Sequence, residues 1–168
     1  MRRTVIISSA VALVLAASLG IAAAKINFTG TWVMDRSRSI GLPPGVEQTM
    51  TVVHSDDDKI QLETKVINPQ GERIVKDNYT LDGKEAEFAP PTAPGAPAAK
   101  GKRSGTWLPR GNGIVITEET VTETPNGPVK NQLTRKWTLA PDGVTLTIDM
   151  YFDGPNGSFE TRRVFVKK

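Results

Sequence analysis

Residues 114–139 read IVITEETVTETPNGPVKNQLTRKWTL. β-branched side chains fill both segments, and neighbours alternate between faces with the period of two that a pleated strand imposes. Between them stands Pro125-Asn126-Gly127. Asn-Gly accepts the positive φ of a tight reversal, so this stretch predicts a β-hairpin, 114–124 against 129–139.

The same device recurs on both sides. Turn signals stand at Asp56-Asp57-Asp58, Asn68-Pro69-Gln70-Gly71, Asp82-Gly83, Gly111-Asn112-Gly113, Pro141-Asp142-Gly143 and Gly154-Pro155-Asn156-Gly157. The segments between them predict ten strands: 28–35, 47–54, 59–67, 73–81, 85–89, 102–109, 114–124, 129–139, 144–152 and 158–166. Two longer connections interrupt the series. Residues 36–46 carry Gly41-Leu42-Pro43-Pro44-Gly45, which bars helix. Residues 90–101 are rich in Pro and Ala and read as a surface loop. Ten hairpin-linked strands with one apolar face must close or stack. Closure removes exposed edges, so the expected fold is all-β: a single antiparallel up-and-down meander barrel, with a sandwich as the alternative.

The first 24 residues stand apart. Arg2 and Arg3 precede an uncharged run from Thr4 that ends in Ala22-Ala23-Ala24. This is the pattern of a secretory signal peptide with cleavage before Lys25, and it predicts a helix detached from the barrel. The alternative is an uncleaved anchor, since the run just suffices to span a bilayer. Residues 25–168 then form one domain. Without Arg2 and Arg3, the 21 basic residues become 19 against 18 acidic ones, a net charge of +1. No basic run interleaved with aromatics remains, so nucleic acid is not an expected partner. With no cysteine, disulfides and thiolate chemistry are excluded, as is a lipid anchor on a cysteine. Seventeen threonines within residues 25–168 support a strand-dominated domain.

Phe28-Thr29-Gly30-Thr31-Trp32 opens the first strand. Its Gly-x-Trp resembles the signature of lipocalins and the wider calycins. That resemblance implies that Gly30 permits close packing and that Trp32 plugs one barrel end. The run through Val33-Met34-Asp35-Arg36-Ser37-Arg38-Ser39 resembles the opening of secreted bacterial lipocalin-like proteins. Later segments are similar to the same group: Lys102-Arg103-Ser104-Gly105-Thr106-Trp107, Arg135-Lys136-Trp137-Thr138-Leu139 and Pro141-Asp142-Gly143-Val144-Thr145-Leu146-Thr147. The likeness covers most of residues 28–168. It implies a calycin-type barrel in a secreted or periplasmic setting, and no activity. It also implies that the first strand pairs with the last, and that an arginine from the chain's far end covers Trp32. Parity with Phe159 and Phe165 selects Arg163 for that role. Ten strands are also similar to the fatty-acid-binding branch of the calycins. Here Arg163-Val164-Phe165 carries phenylalanine where that branch has tyrosine, and residues 36–46 hold no pair of helices.

Catalytic chemistry finds little footing. His54 is the only histidine, and a zinc or copper site usually needs more than one imidazole or thiolate. Asp56-Asp57-Asp58 reads as a solvated turn. Glu118 and Glu119 face opposite sides of a strand and cannot serve as a pair. Neither an enzyme nor a cofactor or metal is expected.

Parity within the strands is more informative. Arg103 shares a face with Trp107, and Arg135 with Leu133, Trp137 and Leu139. Glu118 lines up with Ile114 and Ile116, Arg163 with Phe165, and Asp77 with Val75, Tyr79 and Leu81. Three arginines and two carboxylates thus sit on faces that are otherwise apolar. They either pair with one another or line a lumen that receives an amphipathic, anionic molecule. The candidate ligand-binding residues are Arg103, Arg135, Arg163, Trp107, Trp137 and Tyr79, with Gly30 and Trp32 as the structural pair at the barrel end. The expected function is binding of a small, partly apolar molecule in the lumen. The alternative is a packed interior in an envelope interaction or structural domain, and a cavity of several hundred Å³ separates the two. Beyond a small amphipathic molecule, no partner is specified, and no segment after Ala24 could span a membrane.

Overall fold

The computed structural model describes residues 25–56, 58–90 and 97–168, apart from the side chains of 54–56. The leader, with its expected helix, and residues 91–96 of the Pro/Ala-rich loop lie outside the described residues. No described helix is long and apolar enough to cross a membrane.

Ten strands follow in chain order: β1 (Gly30–Met34), β2 (Glu47–Asp56), β3 (Lys59–Asn68), β4 (Gly71–Thr80), β5 (Ala86–Phe88), β6 (Ala99–Trp107), β7 (Gly113–Thr124), β8 (Gly127–Leu139), β9 (Thr145–Gly154) and β10 (Gly157–Lys167). They form one sheet in the order β4-β3-β2-β1-β10-β9-β8-β7-β6-β5. Every pairing is antiparallel, and β1 pairs with β10 as closure requires. The expected loop at 90–101 ends sooner, because β6 starts at Ala99. Gly101 makes this extension feasible: the Phe88 ring lies across it, where a Cβ would meet Cε1 at 2.5 Å.

The sheet curls until β4 faces β6. Asp82 bridges Thr106, and the Gly83 amide donates to the Gly105 carbonyl at 2.9 Å. Among the described residues, the two strands make no further ladder along this seam.

The core follows the predicted parity. Phe28, Trp32, Ile114, Ile116 and Leu146 are wholly buried. One end is plugged by the segment before β1. The Phe28 ring stacks on Trp107 at 6.3 Å and meets Trp137 edge-on at 5.7 Å. The Trp32 indole N–H donates to the Phe28 carbonyl at 2.8 Å. The other end is crossed by residues 35–46, a strap without helix. Ile40 bridges Arg162 on β10, and Leu42 and Val46 pack on the core.

Trp32 is covered by a cation, but not by Arg163. Register places Trp32 opposite Lys167, whose Nζ lies 5.4 Å from the ring centroid. Gly30 makes room for it: its φ is +143°, and a Cβ there would stand 2.6 Å from Lys167 Cε.

Candidate ligand cavity

Burying a charge is costly unless an opposite charge and hydrogen bonds accompany it. The inward-facing charges fall into two groups by this criterion. The first bridges the seam between β4 and β6. Arg103 Nη1 lies 3.7 Å from Asp77 and 4.0 Å from Glu118. Its guanidinium lies 5.0 Å from both the Tyr79 and the Phe88 ring centroids. Arg135 Nη1 lies 2.7 Å from the other Glu118 oxygen and donates to the Tyr79 hydroxyl at 3.5 Å. Glu118, only 8 % exposed, therefore serves two arginines from β7.

Each ionisation responds to these surroundings. Burial pushes the Asp77 carboxyl up, against the pull of the Arg135 and Arg103 charges. Burial likewise raises the Tyr79 hydroxyl, so the phenol stays protonated. For Arg135, burial acts downward, but the Glu118 and Asp77 carboxylates favour its charged form and the group is raised.

The second group is Arg163 alone. It donates from Nη1 to the carbonyls of Ile40 at 3.0 Å and Arg162 at 3.2 Å. No carboxylate lies within ion-pair distance among the described residues. Its Nε is buried without a hydrogen-bond partner, and burial lowers its pKa. Neighbouring Arg162, on the outer face, pairs instead with Asp149 at 2.5 Å.

Between the two groups lies a cavity of about 300 Å³ inside the barrel. Its apolar walls include Met50, Leu62, Trp137, Ile148, Phe152 and Phe165. Its polar lining comprises Gln48, Thr64, Asp77, Tyr79, Arg135 and Arg163. The indole N–H of Trp137 is a second buried donor without a partner. Leu133 and Phe152 also border a second cavity of about 320 Å³ beside the β9–β10 turn. There Phe159 stacks on Phe152 at 4.6 Å and is 58 % exposed.

Of the six predicted ligand-binding residues, Tyr79, Arg135, Trp137 and Arg163 line the same cavity. Arg103 and Trp107 do not. Arg103 is spent on the seam, and Trp107 belongs to the plug with Phe28, where Lys25 Nζ lies 5.2 Å from its ring. Sequence reading missed Gln48 and Thr64, which share inward parity with Met50 and Leu62 and carried that signal.

Fold and cavity together define a ten-stranded antiparallel meander barrel with an internal cavity. No protein-family model and no curated protein matches the sequence. Among solved structures the chain is similar to zebrafish ileal bile acid-binding protein complexed with cholic acid. Identity is 15 %, with 84 % of this chain and 98 % of that one covered and a TM-score of 0.48. That degree of likeness carries no functional argument.

Proposed function

We propose that the barrel binds a small amphipathic anion in its lumen, with the anionic group on Arg163 and the apolar body against Met50, Trp137, Ile148 and Phe165. The observation that carries this reading is Arg163 itself. It is a half-buried guanidinium at the wall of a largely apolar cavity, with an unpartnered buried Nε and, among the described residues, no carboxylate within ion-pair distance. A bound carboxylate or sulfonate supplies what the protein withholds. The volume stands at the lower limit of small-molecule sites, roughly 300–1,000 Å³, so the ligand is compact. The leader read over residues 1–24 assigns this binding to a secreted or periplasmic protein; N-terminal sequencing of exported protein that found Met1 retained would overturn that assignment.

Titration of the purified protein with 1-anilinonaphthalene-8-sulfonate tests the binding. Saturable fluorescence enhancement that decanoate displaces is expected. Arg163→Gln should weaken it by about tenfold or more, the effect of losing a charged hydrogen bond. Arg162→Gln should leave it unchanged. No binding, or equal weakening by the two variants, refutes the reading.

A further inference from the structure

The cavity has a second polar end, formed by Asp77 and Tyr79 on β4, across the lumen from β10. Tyr79 is 5 % exposed, and its hydroxyl accepts from Arg135. Its own proton has no acceptor among the described residues. The Asp77 carboxylate has a charged neighbour in Arg103 at 3.7 Å, beyond hydrogen-bond length, and accepts no hydrogen bond among those residues. One donor and one acceptor thus line the same cavity, both unused. The charges around them cancel: Arg103 and Arg135 against Asp77 and Glu118. A second anion has no net attraction here, and a cation meets two guanidiniums. A hydroxyl has the chemistry for both, since it can donate to Asp77 and accept from Tyr79.

We propose that Asp77 and Tyr79 receive a hydroxyl of the ligand, so that the class bound is a hydroxylated amphipathic carboxylate. This rests on the anion site at Arg163. An apolar chain end at this position leaves both groups unpaired, and sites built to hydrogen-bond a hydroxyl reject analogues that lack it.

Calorimetric titration of the purified protein with decanoate and with its monohydroxy isomers tests the assignment. At least one isomer should bind tenfold or more tightly than decanoate. The measured quantity is that ratio, which cancels general changes in affinity. Asp77→Asn and Tyr79→Phe should each reduce it several-fold. Tyr79→Phe keeps the ring under Arg103, and Arg163→Gln should weaken both ligands and preserve the ratio. If every isomer binds no better than decanoate, or if the ratio survives both β4 variants, the hydroxyl site is refuted while the anion site stands. If no carboxylate binds at all, the anion site fails and the hydroxyl site with it.

Discussion

Glu118 joins the two sides of the barrel seam, and its removal gives the sharpest test of that architecture. Glu118→Gln preserves shape and cancels one charge. It leaves Arg135, formerly 2.7 Å from the carboxylate, and Arg103, formerly 4.0 Å away, with Asp77 as their remaining acidic neighbour. Breaking a buried pair by deleting one partner costs about 3–5 kcal/mol. The side chains of Arg135 and Arg103 retain 24 % and 19 % exposure, and water offsets part of the loss. The expected cost is therefore about 3 kcal/mol, at the lower end of that range. With a urea dependence of about 2 kcal/mol per M, the midpoint falls by roughly 1.5 M.

Two further variants isolate the cause. Glu118→Gln combined with Arg135→Met removes both charges and should recover at least about 1 kcal/mol, since the coupling disappears with the pair. Glu119→Gln is the control: it faces outward, 2.6 Å from Lys130 Nζ, and should cost no more than about 1 kcal/mol. Urea midpoints of all four proteins decide the matter. A Glu118→Gln shift no larger than that of Glu119→Gln refutes a seam held by charge.

Trp32→Ala should cost roughly 3–5 kcal/mol in thermal unfolding, because a wholly buried ring is lost from the plug. Lys167→Met should cost only about 0.5–1 kcal/mol, the worth of an exposed cation over a ring. Gly30→Ala should destabilise by about 1–3 kcal/mol from its φ of +143° alone, and Lys167→Ala in the same chain should recover only the part due to the Cε contact. Toward acid, Asp35, held at about 2 by the Ser37 hydroxyl and Arg38, contributes stability above its ordinary 3.8 that is lost as pH falls toward 2. Asp77 has the opposite sign. Its raised pKa gives a contribution fully present below 3.8 and lost as pH rises through its folded value. Urea midpoints between pH 2 and 6 should therefore fall less toward acid in Asp35→Asn, with Asp142 keeping part of that fall, and flatten above pH 4 in Asp77→Asn.

Facing was legible in the sequence, and height was not. Alternation with apolar neighbours puts Asp77, Arg103, Glu118 and Arg135 on the inner surface, where they lie. Parity also puts Arg163 and Phe159 on that surface, but only register tells how far along the barrel each sits. β1 is short and meets the last residues of β10, so Trp32 faces Lys167, four positions beyond Arg163. Phe159, six positions before Phe165 on β10, projects past the filled core and is exposed although its face is inward. The start of β6 was hidden for a different reason. Ala99, Lys100 and Gly101 have weak strand character of their own, and a ring from β5 compensates for the glycine.

The inward charges can be separated by asking which of them the sheet itself requires. A buried ion pair is a weak source of stability, because desolvation consumes most of the attraction. It is better suited to choosing one arrangement among several. Where β4 and β6 lack a continuous ladder, an apolar seam would leave their relative register weakly determined. Arg103 reaches Asp77 on one strand and Glu118 on another, and slippage of β4 by one residue turns Asp77 to the outer face. The charges of Arg103, Arg135, Asp77 and Glu118 therefore have a structural reason to be inside, whether or not Asp77 and Tyr79 also meet a ligand. Arg163 has no ion pair of this kind among the described residues, and only donates to the Ile40 and Arg162 carbonyls. β10 is paired on both sides, its backbone contacts need no guanidinium, and leucine at that position would bury more apolar surface without stranding a charge. The anion proposed for the lumen would give Arg163 the counter-charge that no described residue supplies.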